Sequence, residues 1–230
     1  MPNLLEKIHS KGYWRIVIRP TIFDKERIPT LTKCREIIDD AVVRLRGWDY
    51  PYFDNSQIIN NVDSIAIGVE FMHHIEFWKF FQSSQFVHHF ACYEDHLEKP
   101  KFPSYKMDTT SGKYLSILST LYSITEIFQF ISRLISKEIL IPKVEVTIGL
   151  YDMKDRQLFF GEQSRYLRKA YISNIPEIIF NKTYISEQVL TSAAELAMEA
   201  TIWVFERFNW LHYSKVIFPE EQKKFLEKRL

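Results

Sequence analysis

A chain of 230 residues, 46% hydrophobic and 15% aromatic, can bury a core without disulfide or metal staples, which excludes a disordered or scaffold-stapled protein. Lys+Arg 30 against Asp+Glu 29 leaves a formal net charge of +1, so no global field draws the molecule to nucleic acid or to an anionic membrane. The opening MPNLLEKIHSKGYW carries no basic-then-apolar leader, and no apolar run approaches the ~18 residues of a bilayer span; the sequence predicts a cytoplasmic protein with no membrane contact.

Residues 14–19 (WRIVIR) alternate as a short strand stopped by Pro20. Leu31, Cys34, Ile37, Ile38, Ala41, Val42 and Leu45 step by three and four, the spacing of an amphipathic helix. Thr30 or Thr32 caps it, and Gly47 ends it behind Arg44 and Arg46, where cations suit the carboxyl end. Past the polar Asn60 and Asn61, residues 65–73 read as a strand, 76–81 as a single helical turn or tight excursion, and 85–93 as a return strand. The two strands are expected side by side, with the Phe77, Trp78 and Phe80 rings largely buried. Cys34 and Cys92, far apart in apolar patterns, read as buried reduced thiols.

Residues 97–112 shift to Lys, Pro, Ser, Thr and Asp, the composition of an exposed loop open to proteolytic nicking. Residues 114–135 carry an apolar face too wide for a surface helix and predict the central buried one. Residues 144–150 and 157–160, joined by a polar turn at 152–156, predict an antiparallel hairpin, and 168–180 adds at least one strand. Ser192 with Glu195 is a capping box opening a helix that runs to Asn209. Pro219, Glu220 and Glu221 start a last helix closed by Lys228 and Arg229. The whole, residues 1–230, is read as a single α+β domain: a mixed or antiparallel sheet packed by the long central helix and carboxyl-terminal helices.

Three constellations carry chemistry. The first is Glu70, His73, His74, Glu76, His88, His89, Asp95 and His96, since imidazoles and carboxylates together bind transition metals or move protons near neutral pH. No spacing among them fits a metal motif, and neighbouring histidines on a strand point to opposite faces, so the sequence predicts no bound metal and no cofactor. One member of each histidine pair can still meet the other across a ladder. The second is RLRGWDYPYF, in which a glycine turn delivers Arg44, Arg46, Trp48, Asp49 and Tyr50 into one loop. That set suits ligand or partner contact, including stacking on a base, against the plainer reading that the rings pin the loop to the core. The third is the basic run at 154–169, with Arg156, Arg165, Tyr166, Arg168 and Lys169, read as a solvated hairpin rim or a phosphate track. Glu126 and Arg133, seven apart in the central helix, share a side, and a buried Glu126 needs a partner. There is no GxGxxG, GxxxxGK[ST] or GxSxG among the residues.

GYWRIVIRP, RLRGWDYP, EFWKFFQSSQFVH, ITEIFQFISRL and FERFNW together resemble a bacterial region found carboxyl-terminal to Schlafen-like, Alba-type DNA-binding domains. The resemblance covers most of the chain and implies a sensing, regulatory or assembly role in a mobile-element or antiphage system. It brings no catalytic residues. With no amino-terminal domain of that kind read in the sequence, the expectation is a protein partner supplied in trans, or a homo-oligomer. The first expectation is therefore a non-enzymatic binding module. Its rivals are a metal-assisted hydrolase or nuclease using the 70–96 cluster, and nucleic-acid binding through RGWDYPY.

Overall fold

The computed structural model describes residues 2–97, 113–160, 167, 169–211 and 217–228. Helix α1 (Pro2–His9) leads into β1 (Tyr13–Pro20), α2 (Leu31–Ala41), β2 (Ile59–Asn60), β3 (Ser64–Phe71), β4 (His74–Phe81) and β5 (Phe86–Ala91). The second half runs β6 (Tyr114–Ser116), α3 (Ile117–Ile135), β7 (Lys143–Tyr151), β8 (Gln157–Phe159), β9 (Glu177–Ile185), α4 (Ser186–Glu206) and α5 (Ile217–Leu226). Seven strands form one sheet in the order β2-β3-β4-β5-β1-β7-β9, every neighbouring pair antiparallel. The fold is α+β, as the sequence predicts.

Period-two alternation decides what each face of the sheet meets. Trp14, Ile16 and Ile18 of β1, Trp78 and Phe80 of β4, and Ile178, Phe180 and Tyr184 of β9 are buried in the main core. That core is shared with α2, α3, α4 and α5. α3 is the buried centre: its Ile117, Leu121, Ile124, Phe128, Ile131 and Leu134 are all in the core, and Ser116 caps it by accepting from Ser119 N. On the opposite face α1 covers only one stretch, its Leu4, Leu5 and Ile8 packing on Ile75, Phe77 and Ala91. No helix among the described residues is long and apolar enough to cross a membrane.

Several elements differ from the sequence expectation, each for a local reason. Residues 74–81 are a full strand rather than a helical turn, so β4 lies between β3 and β5 and the two expected neighbours do not touch. Trp78 and Phe80 are fully buried, while Phe77, on the α1 side, is only partly so. α2 stops at Ala41, because Val42 turns to extended backbone and Val43 bridges to Tyr50 (N to O distances of 2.8 and 2.9 Å). Arg44 and Arg46 therefore sit in a closed loop, not in a helix end. β8 does not pair with β7; it runs parallel to β6 in a separate two-stranded ladder, and β7 lies between β1 and β9. The Ser192 capping signal marks a kink inside α4, where Ser192 leaves helical geometry (φ −137°, ψ 32°). The loop expected at 97–112 lies almost entirely outside the described residues, as do Arg165, Tyr166 and Arg168.

Arg156 is no hairpin rim. It is fully buried, forked on Asp95 (2.8 and 2.7 Å) and donating to the carbonyl of Tyr114 at 2.7 Å. Asp95 also accepts from Gly12 N at 2.9 Å. A Cβ on Gly12 would stand 2.1 Å from the Arg156 guanidinium, so this close approach requires glycine.

Candidate functional site

The aromatic and histidine-rich block is positioned by strand alternation. On β4 the side chains of His74 and Glu76 project to the helix-bearing face, and on β5 His88 and Phe90 do the same. The loop closed by the Val43–Tyr50 bridge lays Arg46, Trp48 and Tyr50 over them from one side. α3 supplies the other wall with Ser119, Thr120, Ser123 and Glu126, a polar stripe at helical spacing on an otherwise apolar helix. These elements enclose a cavity of about 90 Å³, whose further aromatic walls are Trp14 and Tyr93.

Glu76 is the hub. Its Oε1 accepts from Trp48 Nε1 at 2.5 Å, and its Oε2 accepts from Tyr52 N at 3.3 Å and lies 2.8 Å from His88 Nε2. Burial pushes this carboxyl up, but the His88, Trp48 and Tyr52 contacts outweigh burial and hold it below its ordinary value. His88 approaches off-line, and neither of its ring nitrogens has an aligned hydrogen-bond partner although the residue is 1% exposed. The nearer nitrogen, Nε2, faces the carboxylate. The hydroxyls of Tyr50 and Thr120, both buried, are unpartnered too.

Glu126, wholly buried, receives the Arg46 fork at 3.1 and 2.6 Å, and Arg46 also donates to Ser123 Oγ at 3.1 Å. Arg133 is turned away, donating to the carbonyl of Val42, so the partner of Glu126 comes from the loop and not from its own helix. Burial, helped by the Glu76 and Asp49 charges, pushes Glu126 up to about 7 against the pull of Arg46. Glu94 is likewise pushed to about 7 by burial, accepting only partial relief from Ser116 N at 2.7 Å. Trp48 stacks on His74 (ring centroids 4.2 Å apart) and on Tyr52 (4.9 Å). Burial and the neighbouring His73 lower His74 to about 4, so it is neutral at pH 7. On its outer side Trp48 also borders a shallow groove with Tyr52, Gln57 and Phe71.

The structure thus divides the sequence candidates. His73, His74, Glu76 and His88 join Arg46, Trp48, Asp49 and Tyr50 around the cavity. His89 points to the opposite face, 2.9 Å from His9, and burial holds it at about 4. Glu70 is an exposed partner of Lys7, Asp95 belongs to Arg156, and Arg44 stands outside with Asp39 and Asp49. Among the described residues no three His, Cys, Asp or Glu side chains are grouped so as to hold a metal ion. Cys34 and Cys92 are free buried thiols. Sequence reasoning missed Glu94, Thr120 and Ser123. The stripe 119, 120, 123, 126 on an apolar helix was the signal for the latter two; Glu94, in a short polar turn, left none.

Comparison of the chain with protein-family models, with curated proteins and with solved structures gives no match.

Proposed function

We propose that the protein is a non-enzymatic binding or sensing module that takes a small polar ligand into the cavity between β4, β5, α3 and the Arg46–Tyr50 loop. The observation that carries this reading is that three buried, unpartnered polar groups, on His88, Tyr50 and Thr120, belong to residues that line one cavity. Leaving such groups unsatisfied costs about 1–3 kcal/mol each, a cost that an occupant hydrogen-bonding to them would recover. The resemblance to the region following Schlafen-like, Alba-type domains supports a sensing role.

A second reading, general acid–base catalysis, is favoured by Glu94 and Glu126, two cavity carboxyls poised at about 7. One experiment separates the two. The full chain is incubated with an extract of small metabolites, recovered, denatured, and the released compounds are identified by mass spectrometry. A compound retained unaltered, and lost from Tyr50→Phe, supports binding. Progressive depletion of that compound with a new product, slowed in Glu126→Gln, supports catalysis. Retention of nothing by the wild type contradicts both.

A further inference from the structure

The charges around the cavity do not balance. Asp49, Glu76, Glu94 and Glu126 line it, against Arg46 as the one permanent cation, in a chain whose overall formal charge is +1. Asp49 is answered from outside by Arg44 at 3.2 Å and Glu126 by Arg46 at 2.6 Å. Among the described residues, Glu76 and Glu94 have no lysine or arginine within ion-pair distance; Glu76 meets only the imidazole of His88. A buried carboxylate without an ion-paired lysine or arginine is expensive, and a cation in the cavity relieves that cost. Burial is what raises Glu94 and Glu126 to about 7.

The remaining walls are aromatic: Trp14, Trp48, Tyr50, Phe90 and Tyr93. Rings surrounding an acidic centre are the recognised arrangement for organic cations, since the ring faces attract positive charge and exclude competing water. The unpartnered groups narrow the class. The Tyr50 and Thr120 hydroxyls each offer lone pairs that N–H donors of an occupant can meet. The cavity, about 90 Å³, is smaller than the ~150 Å³ cavity that admits benzene, which limits the occupant to a head group of a few heavy atoms.

Building on the binding reading above, we propose that the cavity recognises a guanidinium or primary ammonium head group, held by N–H donation to the carboxylates that line it and bordered by its aromatic walls. The head group belongs either to a free small molecule or to a side chain of the partner, and the chemistry is the same in both.

The test is a calorimetric titration of the full chain at pH 8 with methylguanidinium chloride, methylammonium chloride, tetramethylammonium chloride and neutral methylurea. Saturable binding of methylguanidinium or methylammonium is expected, with methylurea and tetramethylammonium weaker by roughly tenfold or more, since one lacks the charge and the other the donors. Tyr50→Phe and Thr120→Val, which leave the carboxylates in place, are expected to weaken the cation by roughly threefold to tenfold; Glu76→Gln is expected to abolish binding. Should Glu76→Gln fail to fold, the two hydroxyl variants carry the test. A blocked peptide with a terminal arginine binding more tightly than methylguanidinium assigns the head group to a partner, and the reverse assigns it to a free molecule. Equal binding of methylurea and methylguanidinium overturns the cation class but leaves a polar-ligand pocket standing. If none of the cations binds while metabolite retention still depends on Tyr50, the cation proposal is wrong and the binding reading survives; if retention also fails, both are wrong.

Discussion

Two arginine–carboxylate forks are buried in this fold, Arg156 on Asp95 and Arg46 on Glu126, and their surroundings differ. Arg156 is wholly buried, and its guanidinium is also satisfied by the Tyr114 and Asp152 carbonyls, while Asp95 is further tied to Gly12 N. Burial opposes its charge, but the Asp95 fork outweighs burial and raises its pKa. Arg46 is about one-third exposed, and the Glu126 it meets is pushed up to about 7 rather than down. Beside this second pair lie open space and unpartnered hydroxyls. The same ion pair is thus a structural pin where further backbone hydrogen bonds tie it down, and part of a site where it borders open space.

That contrast breaks most visibly when the arginines are removed. Arg156→Met should cost about 3–5 kcal/mol, because Asp95 is left as a buried charge held by Gly12 N alone. Arg46→Met should cost only about 1–2 kcal/mol, since Glu126 can take up a proton near neutrality. Urea unfolding of the two variants measures this, and equal losses would erase the distinction.

Protonation sharpens it next. Glu126 holds its proton when folded up to about 7, against 4.5 ordinarily. Its contribution to stability is therefore full below about pH 4.5 and is lost as pH rises through about 7. His74 and His89, both held at about 4, run the other way, gaining stability as pH rises toward 6.5, so the wild-type profile is flattened. Glu126→Gln removes only the first contribution. The stability of wild type relative to this variant should fall by on the order of 3 kcal/mol between pH 4.5 and 7.5; a difference independent of pH contradicts the raised carboxyl. Smaller still, Trp48→Phe keeps the stacked ring but strips the Nε1 donor from Glu76, and should cost about 1–2 kcal/mol in the same unfolding measurement.

The sequence carried the architecture more clearly than the site. The central helix was legible because its apolar residues run almost all round it, and His88 and His89 part to opposite faces as strand alternation requires. The 76–81 segment was misread because EFWKFF has aromatic residues on both faces of the strand; β4 buries Trp78 and Phe80 in the main core and rests Phe77 on α1, so the usual polar alternation is missing. The pairing of β8 with β6 depends on a contact across 43 residues that no local pattern announces. At the site, Arg46 and Trp48 were identifiable from loop composition. Their target, Glu76, looked like one of several strand carboxylates until the Val43–Tyr50 bridge closed the loop over it.

The central claim is that the cavity's polar groups are kept for an occupant and not for the fold, and Thr120→Val tests it most directly. The Thr120 hydroxyl is buried and makes no hydrogen bond, so replacing it by an isosteric methyl removes an uncompensated group and leaves the shape of α3 unchanged. Thermal melting of the ligand-free variant should show a rise of about 2–4 °C, corresponding to about 1 kcal/mol for a chain of this size. A fall of the same magnitude would mean that the hydroxyl serves the folded core, and the cavity would lose its standing as a site.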